Sequence, residues 1–243
     1  MKIIKPSARI VSSVDGDEIL KRIEEYGRVC YKSEDRITED SAKRFVENLI
    51  KRGHESVLEH ISVTVKFVCD RGVSHEIVRH RLASYSQEST RFCNYSQDKF
   101  DGELTFILPP WIPESEAQLI LSGELPLCKY QHAIAPNSFE LHDQLIDKLP
   151  TSYGWYVAML CTEAAYKLSI ADAGWTPEQA RAVLPNSLKT ELIMTANLRE
   201  WRHFFKLRTS KAAHPQMREL TVPLLGEFKE KIPVVFDDIK VEE

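Results

Sequence analysis

Apolar and polar positions follow two periods along this chain, and together they predict most of its elements. From Ile61 to Cys69 the residues Ile61, Val63, Val65, Phe67 and Cys69 alternate with Ser62, Thr64, Lys66 and Val68, the pattern of a strand buried on one face. Glu18 to Tyr31 carries Ile19, Leu20, Ile23, Tyr26 and Val29 at helical spacing. A second helix has Thr38 or Asp40 to cap it, Phe45, Val46, Leu49 and Ile50 as its stripe, and Gly53 to end it. Strands are expected over Lys2 to Val14 and Leu104 to Leu108, the latter closed by Pro109 and Pro110. Trp111 to Pro136 reads as irregular. Helices are expected from Asn137 to Leu149 and from Ser152 to Ile170, where Tyr153, Tyr156, Val157, Leu160, Ala164 and Leu168 supply core contacts. Thr176, Pro177 and Gln179 form a cap signature for a short helix that delivers Arg181. Thr190 to Arg208 reads as one long helix and Ala212 to Ile232 as another, before an acidic, frayed end from Asp237 to Glu243. No repeat or low-complexity linker interrupts the pattern, so a single domain over 1–243 is the simpler organisation.

Two stretches depart from plain amphipathic patterning. In VSHEIVRHRLASYSQESTRFCN (73–94), a helix through the first half places Val73, Ile77, Val78 and Leu82 in one half of the wheel. Arg81 falls among them, Arg79 points the other way and His80 sits near the edge. An inward guanidinium is costly unless an anion or several acceptors meet it. Beyond Ser84 the chain reads as a loop of hydrogen-bonding groups, Ser86, Gln87, Glu88, Ser89 and Thr90, ending in Arg91. Helix end, hydroxyls and arginine suit a phosphate. The alternative is a solvated charge run in which Arg79, His80 and Arg81 pair with Glu76 and Glu88.

The second stretch is TELIMTANLREWRHFFKLR (190–208). On a continuous wheel Glu191, Thr195, Arg202 and Lys206 form the solvent stripe, while Asn197, Arg199, His203 and Arg208 fall on largely apolar faces. Those four need partners inside, either distant carboxylates or a ligand rich in carbonyls and phosphates.

Composition narrows the function classes. A formal charge of -4 disfavours a general nucleic-acid or anionic-membrane binder. No apolar run approaches the ~20 residues of a membrane helix, and a cytoplasmic protein is expected. Five cysteines without a CxxC pair read as reduced, packed thiols. His54, Glu55, Glu59 and His60 lack the HExxH spacing, so no metal site is expected there.

RHRLASYSQESTR, taken with GHESVLEH (53–60) and RAVLPNSLKTELIMTANLREWRHFFKLR (181–208), resembles the flavin-dependent thymidylate synthases in motif and in order, from about Ser7 to Leu225. The resemblance implies an α+β fold, an antiparallel-rich sheet flanked by helices, assembled as a homotetramer with sites between subunits. It implies an enzyme that converts dUMP to dTMP, with FAD as cofactor and NADPH and 5,10-methylenetetrahydrofolate as co-substrates. By the same likeness Ser56, Glu59, Arg79, His80, Arg81, Gln87, Asn197, Arg199 and His203 would approach FAD. Glu76 and Arg79 of one subunit and Gln87, Glu88, Ser89, Thr90 and Arg91 of another would hold the nucleotide, with Arg181 and Arg208 completing the pocket. Arg208 is the expected catalytic residue, acting electrostatically because a guanidinium stays protonated. Ser89 is expected to hydrogen-bond the ligand, since no general base lies beside it in sequence. Where the family often has a histidine four residues after the Arg208 counterpart, this chain has Ala212, with His214 two further on. Glu114 to Pro136 has no counterpart and reads as an insertion. A nucleotide- or RNA-binding module without redox activity is the competing class; it would show a steep salt dependence.

Overall fold

The computed structural model describes residues 1–123 and 152–241. In chain order it shows β1 (Lys2–Ile4), β2 (Ser7–Ile10), α1 (Gly16–Val29), α2 (Ser41–Arg52), a 3-10 segment (Glu55–His60), β3 (Ser62–Asp70), α3 (Arg71–Ile77), β4 (Ala83–Gln87), β5 (Thr105–Ile107) and α4 (Glu114–Ser122). After the undescribed residues come α5 (Tyr153–Ala171), α6 (Pro177–Ala180), β6 (Lys189–Asn197), α7 (Leu198–Arg208) and α8 (Pro215–Lys231). The described residues cluster into two compact units: Met1–Lys5 with Ser89–Lys189, and Pro6–Glu88 with Thr190–Glu243.

The second of these units holds a four-stranded sheet in the order β2-β3-β6-β4. β2 pairs antiparallel with β3, and β4 antiparallel with β6, Ala83 opposite Ala196 and Gln87 opposite Leu192. The inward faces follow the alternation of the sequence: Val63, Val65, Phe67 and Cys69 from β3, and Leu192, Met194 and Ala196 from β6. Against them pack Trp201, Phe204 and Phe205 of α7 and Phe228 of α8, a run of edge-to-face and tilted rings that Phe236 completes. α1 and α2 lie together where Gly27 leaves room for the Phe45 ring. Gly53, at φ +71°, ends α2 in the left-handed conformation that a side chain would resist. This α+β arrangement, antiparallel-rich and flanked by helices, is the expected fold class.

The other unit joins β1 and β5 as a parallel pair and buries Tyr95, Leu104, Phe106, Met159, Tyr166, Ala180 and Leu188. The buried Glu163 carboxylate accepts from the Leu104 N–H at 2.9 Å and pairs with the N-terminal amine at 3.0 Å and with Lys167 at 3.2 Å.

Several expectations are corrected. Lys2 to Val14 is two strands in two sheets, broken around Pro6. Part of the stretch expected to be irregular is the helix α4, ended by Gly123 at φ +74°. The core face of α5 is Tyr153, Tyr156, Met159, Glu163 and Tyr166; Ala164 and Leu168 are exposed. The expected helix over 137–149 and Cys128 lie outside the described residues. The largest correction is at 190–208, where a strand and a helix stand in place of one helix.

Candidate active site

β3 delivers α3 directly. Asp70, the last strand residue, caps the helix by accepting the Val73 N–H at 2.7 Å, and the Gln216 side chain donates to its other oxygen at 2.5 Å. Burial pushes this carboxyl up, against the pull of those two bonds. The helix stops at Ile77, two turns in, so the wheel used for Arg81 does not apply. Val78, Arg79, Arg81 and Leu82 are exposed, and the side chain that turns inward is His80, 4% exposed. No ion pair among the described residues engages Arg79 or Arg81. Glu76 turns away from both, toward Arg208. The residues expected to be a loop after Ser84 continue as β4: Tyr85 and Gln87 face the sheet side and Ser84 and Ser86 face out. The Tyr85 hydroxyl reaches the carbonyls of Ile77 at 3.0 Å and His80 at 2.6 Å, bracing the turn, and burial pushes its pKa up to about 12.

β6 runs into α7 with no intervening loop. Asn197 ends the strand and caps the helix, its Oδ1 accepting the Glu200 N–H at 2.8 Å. Arg199, Glu200, His203 and Arg208 keep helical spacing among themselves, and what the strand before them changes is their relation to residues 190–197. Arg199 is exposed and paired with Glu59 at 2.5 Å. His203 is exposed, with its ring 5.6 Å from that of His80. Arg202, expected on the solvent stripe, is 1% exposed and bound to Glu55, Asp238 and the Val235 carbonyl. Lys206 is exposed as expected.

At the centre lies a chain of four side chains. Glu200 Oε1 is 3.0 Å from His80 Nδ1, and Arg208 Nε–H donates to His80 Nε2 at 3.1 Å. Arg208 also donates through Nη1 to Glu76 Oε2 at 2.7 Å and through Nη2 to the Glu76 carbonyl at 3.0 Å. Burial, with the Arg208 charge as a further contribution, holds His80 below the usual imidazole range, although Glu200 pulls the other way. Because the Arg208 Nε–H donates to Nε2, that ring nitrogen carries no proton, and the contact of Nδ1 with Glu200 is that of a neutral imidazole, a hydrogen bond rather than an ion pair. Among the described residues three of the five guanidinium N–H groups of Arg208 find partners, which leaves two for a ligand.

Beside this chain, Ser56, Glu59, Arg199 and His203 lie exposed on packed elements, with Arg79 and Arg81 on the adjoining turn. Two exposed guanidiniums without carboxylate partners among the described residues, flanking the His80 that meets the His203 ring, fit a phosphate-bearing cofactor such as a flavin dinucleotide. Gln87 donates to the Ser74 hydroxyl at 2.9 Å and to the Thr190 hydroxyl at 3.2 Å, which orients its amide. Glu88 is half-buried at the end of β4. Ser89, Thr90, Arg91 and Arg181 belong to the other unit. There Ser89 accepts the Arg91 N–H, Thr90 is buried, Arg91 pairs with Glu178 at 3.2 Å, and Arg181 is exposed after the capping-box helix α6.

Sequence reasoning missed Glu200 and assigned it no role. The available signal was its place three residues after Asn197, where a helix start puts an acid against the first-turn N–H groups.

Residues 10–234 match the family described as thymidylate synthase complementing protein. A flavin-dependent thymidylate synthase of Corynebacterium efficiens is 31% identical over 98% of this chain and 86% of its own length. One of Pyrococcus furiosus is 31% identical over 88% of this chain and 72% of its own. The crystal structure of a UMP/dUMP methylase, PolB, from Streptomyces cacaoi bound with 5-Br dUMP superposes with a TM-score of 0.66 at 21% identity, covering 98% of this chain and 96% of that one.

Proposed function

The chain is an enzyme of the flavin-dependent thymidylate synthase family, and from that premise we propose that it methylates dUMP at C5 to give dTMP, using 5,10-methylenetetrahydrofolate as carbon donor, NADPH as reductant and FAD as the bound flavin. Bound flavin would supply the two-electron reduction that turns the transferred carbon into a methyl group, with NADPH as the source of the electrons. The remaining work falls to side chains. Uracil C5 is a poor nucleophile until negative charge enters the ring, and a guanidinium facing O2 and N3 favours the N3-deprotonated form. Arg208 suits this role: its charge is permanent, it is mostly buried, and Glu76 and His80 fix its orientation. The two N–H groups it leaves unused are the observation that carries the reading.

Arg79 and Arg81, with Ser56, Glu59, Gln87, Asn197, Arg199 and His203, would hold the flavin, and His80, expected among them, would act behind them because both its ring nitrogens are engaged by Glu200 and Arg208. Asn197 already caps α7, so its contribution to the cofactor is through the amide left over from that bond. The nucleotide would sit against Glu76 and Arg79 of one subunit and Gln87, Glu88, Ser89, Thr90 and Arg91 of another in a homotetramer, with Arg181 and Arg208 completing the pocket. Release of tritium from [5-³H]dUMP tests the assignment. Release should require FAD, NADPH and the folate together, and Arg208→Ala should lower it by on the order of a hundredfold or more in a protein that still folds. Folate-independent release, or an undiminished rate in Arg208→Ala, would overturn the assignment.

A further inference from the structure

We propose that Glu200 is a positioning residue for Arg208: it holds the His80 imidazole in the tautomer whose bare Nε2 accepts the Arg208 Nε–H. The inference deepens the reading of Arg208 given above and rests on it. An arginine Nε can only donate, so at 3.1 Å His80 Nε2 must present a lone pair. The ring proton is then on Nδ1, 3.0 Å from a Glu200 oxygen. Which nitrogen of a neutral imidazole carries the proton is set by the bond the other one makes. With Glu200 at 7% and His80 at 4% exposure, bulk water is poorly placed to replace the acceptor. Removing it would let the proton move to Nε2, where it would confront the Arg208 N–H and push the guanidinium out of register.

The same three-residue corner offers another reading. Donor atoms of His80, Glu200 and His203 lie within 4.8 Å of one another, close enough to hold a metal ion. An ion on His80 Nδ1 would force the ring proton onto Nε2, donor against donor with Arg208. The hydrogen-bond chain and the ion are mutually exclusive, and the bonds present favour the chain.

Among the described residues the charged and titratable groups that meet His80 all belong to the device. α7 presents Glu200, His203 and Arg208, and Phe204 closes the ring face. Tyr85 of β4 reaches the His80 carbonyl, and Glu76 acts through Arg208. Protonation of His80 would place an N–H on both ring nitrogens and break the contact to Arg208. Acid therefore releases Arg208, and a neutral acceptor at position 200 should move that release to lower pH because it no longer favours the imidazolium.

The test is a long-range ¹H–¹⁵N spectrum of the histidine rings of the full chain with FAD bound, His80 being assigned by its loss in His80→Gln, together with turnover of three variants. Wild-type protein should show His80 with a protonated Nδ1 and a bare Nε2. Glu200→Ala should lose that pattern and lower kcat on the order of ten- to hundredfold, with a smaller change in KM. Glu200→Gln, which keeps an acceptor, should restore the tautomer and most of the rate, with the acid limb of the pH profile shifted down. A wild-type His80 protonated on Nε2, or Glu200→Ala with wild-type tautomer and rate, would overturn the proposal. If Glu200→Ala does not fold, the wild-type and Glu200→Gln spectra still decide it. Arg208→Ala is the control: undiminished turnover there sinks the reading of Arg208, while the spectra judge Glu200 separately.

Discussion

Arg202 and Arg208 stand six residues apart on one short helix and do opposite jobs. Arg208 keeps N–H groups in reserve. Arg202 is saturated, with Nε and Nη2 on Glu55, Nη1 and Nη2 on Asp238 and a further bond to the Val235 carbonyl. Burial alone would lower its pKa, yet the Asp238 and Glu55 carboxylates raise it, so the guanidinium stays charged inside the protein. Arg202→Ala should therefore destabilise the chain by about 1–3 kcal/mol in urea titrations, because the Val235 carbonyl and Asp238 lose their donor while Glu55 keeps only Lys206. Asp238 gives the matching pH dependence. The Arg202 hydrogen bond holds its carboxyl below the usual range, so its contribution is present above about pH 4, the unfolded value, and is lost as pH falls through the folded value. Asp238→Asn should flatten that acid limb of the stability curve. None of this was visible in the linear order, where Arg202 sits on a plausible solvent stripe and its partners lie 147 and 36 residues away.

The capping of α7 concentrates two tasks in Asn197. Asn197→Ala should cost about 1 kcal/mol in thermal or urea unfolding, and Asn197→Asp, which keeps the acceptor, should cost much less. This junction is also where helix periodicity misleads. Leu192, Met194 and Ala196 alternate as a strand requires, but over so few residues an apolar run fits either period, and pairing with β3 and β4 decides it. The ladder depends on Ala83 to Gln87, whose serines and glutamine look like a loop until their pairing partner is known. The error at Arg81 has the same origin: α3 ends at Ile77, so the wheel was extended past the helix and nominated the wrong cation. That one side chain of the triplet turns inward was legible; that it is His80 was not. The strand from Ile61 and the capping box at Thr176 were readable, since their signals are local, whereas GHESVLEH, read as a polar turn, is a 3-10 segment that buries Val57 and Leu58.

Across the molecule, no helix among the described residues is long and apolar enough to cross a membrane, yet large apolar side chains remain uncovered. Leu82 is 74% exposed and Phe92 77% exposed. Leu82 directly precedes β4, which is an edge strand of its sheet. An uncovered edge and an uncovered leucine together are what a second copy would bury. Light scattering should accordingly give at least twice the 28.0 kDa chain mass, and four times that mass if the homotetramer proposed above forms. Leu82→Glu should shift the population to smaller species and depress turnover in parallel; an unchanged mass would place the contact elsewhere.

The absence of any connector between β6 and α7 bears on how this family can vary. One alanine inserted between Asn197 and Leu198 would rotate all that follows by about 100° and advance it by about 1.5 Å, while the strand stayed pinned by its ladder. Arg208, Glu200 and the aromatic face would lose their partners at one stroke. An insertion at this seam should therefore abolish activity and destabilise the fold, whereas added residues in the connectors should be tolerated.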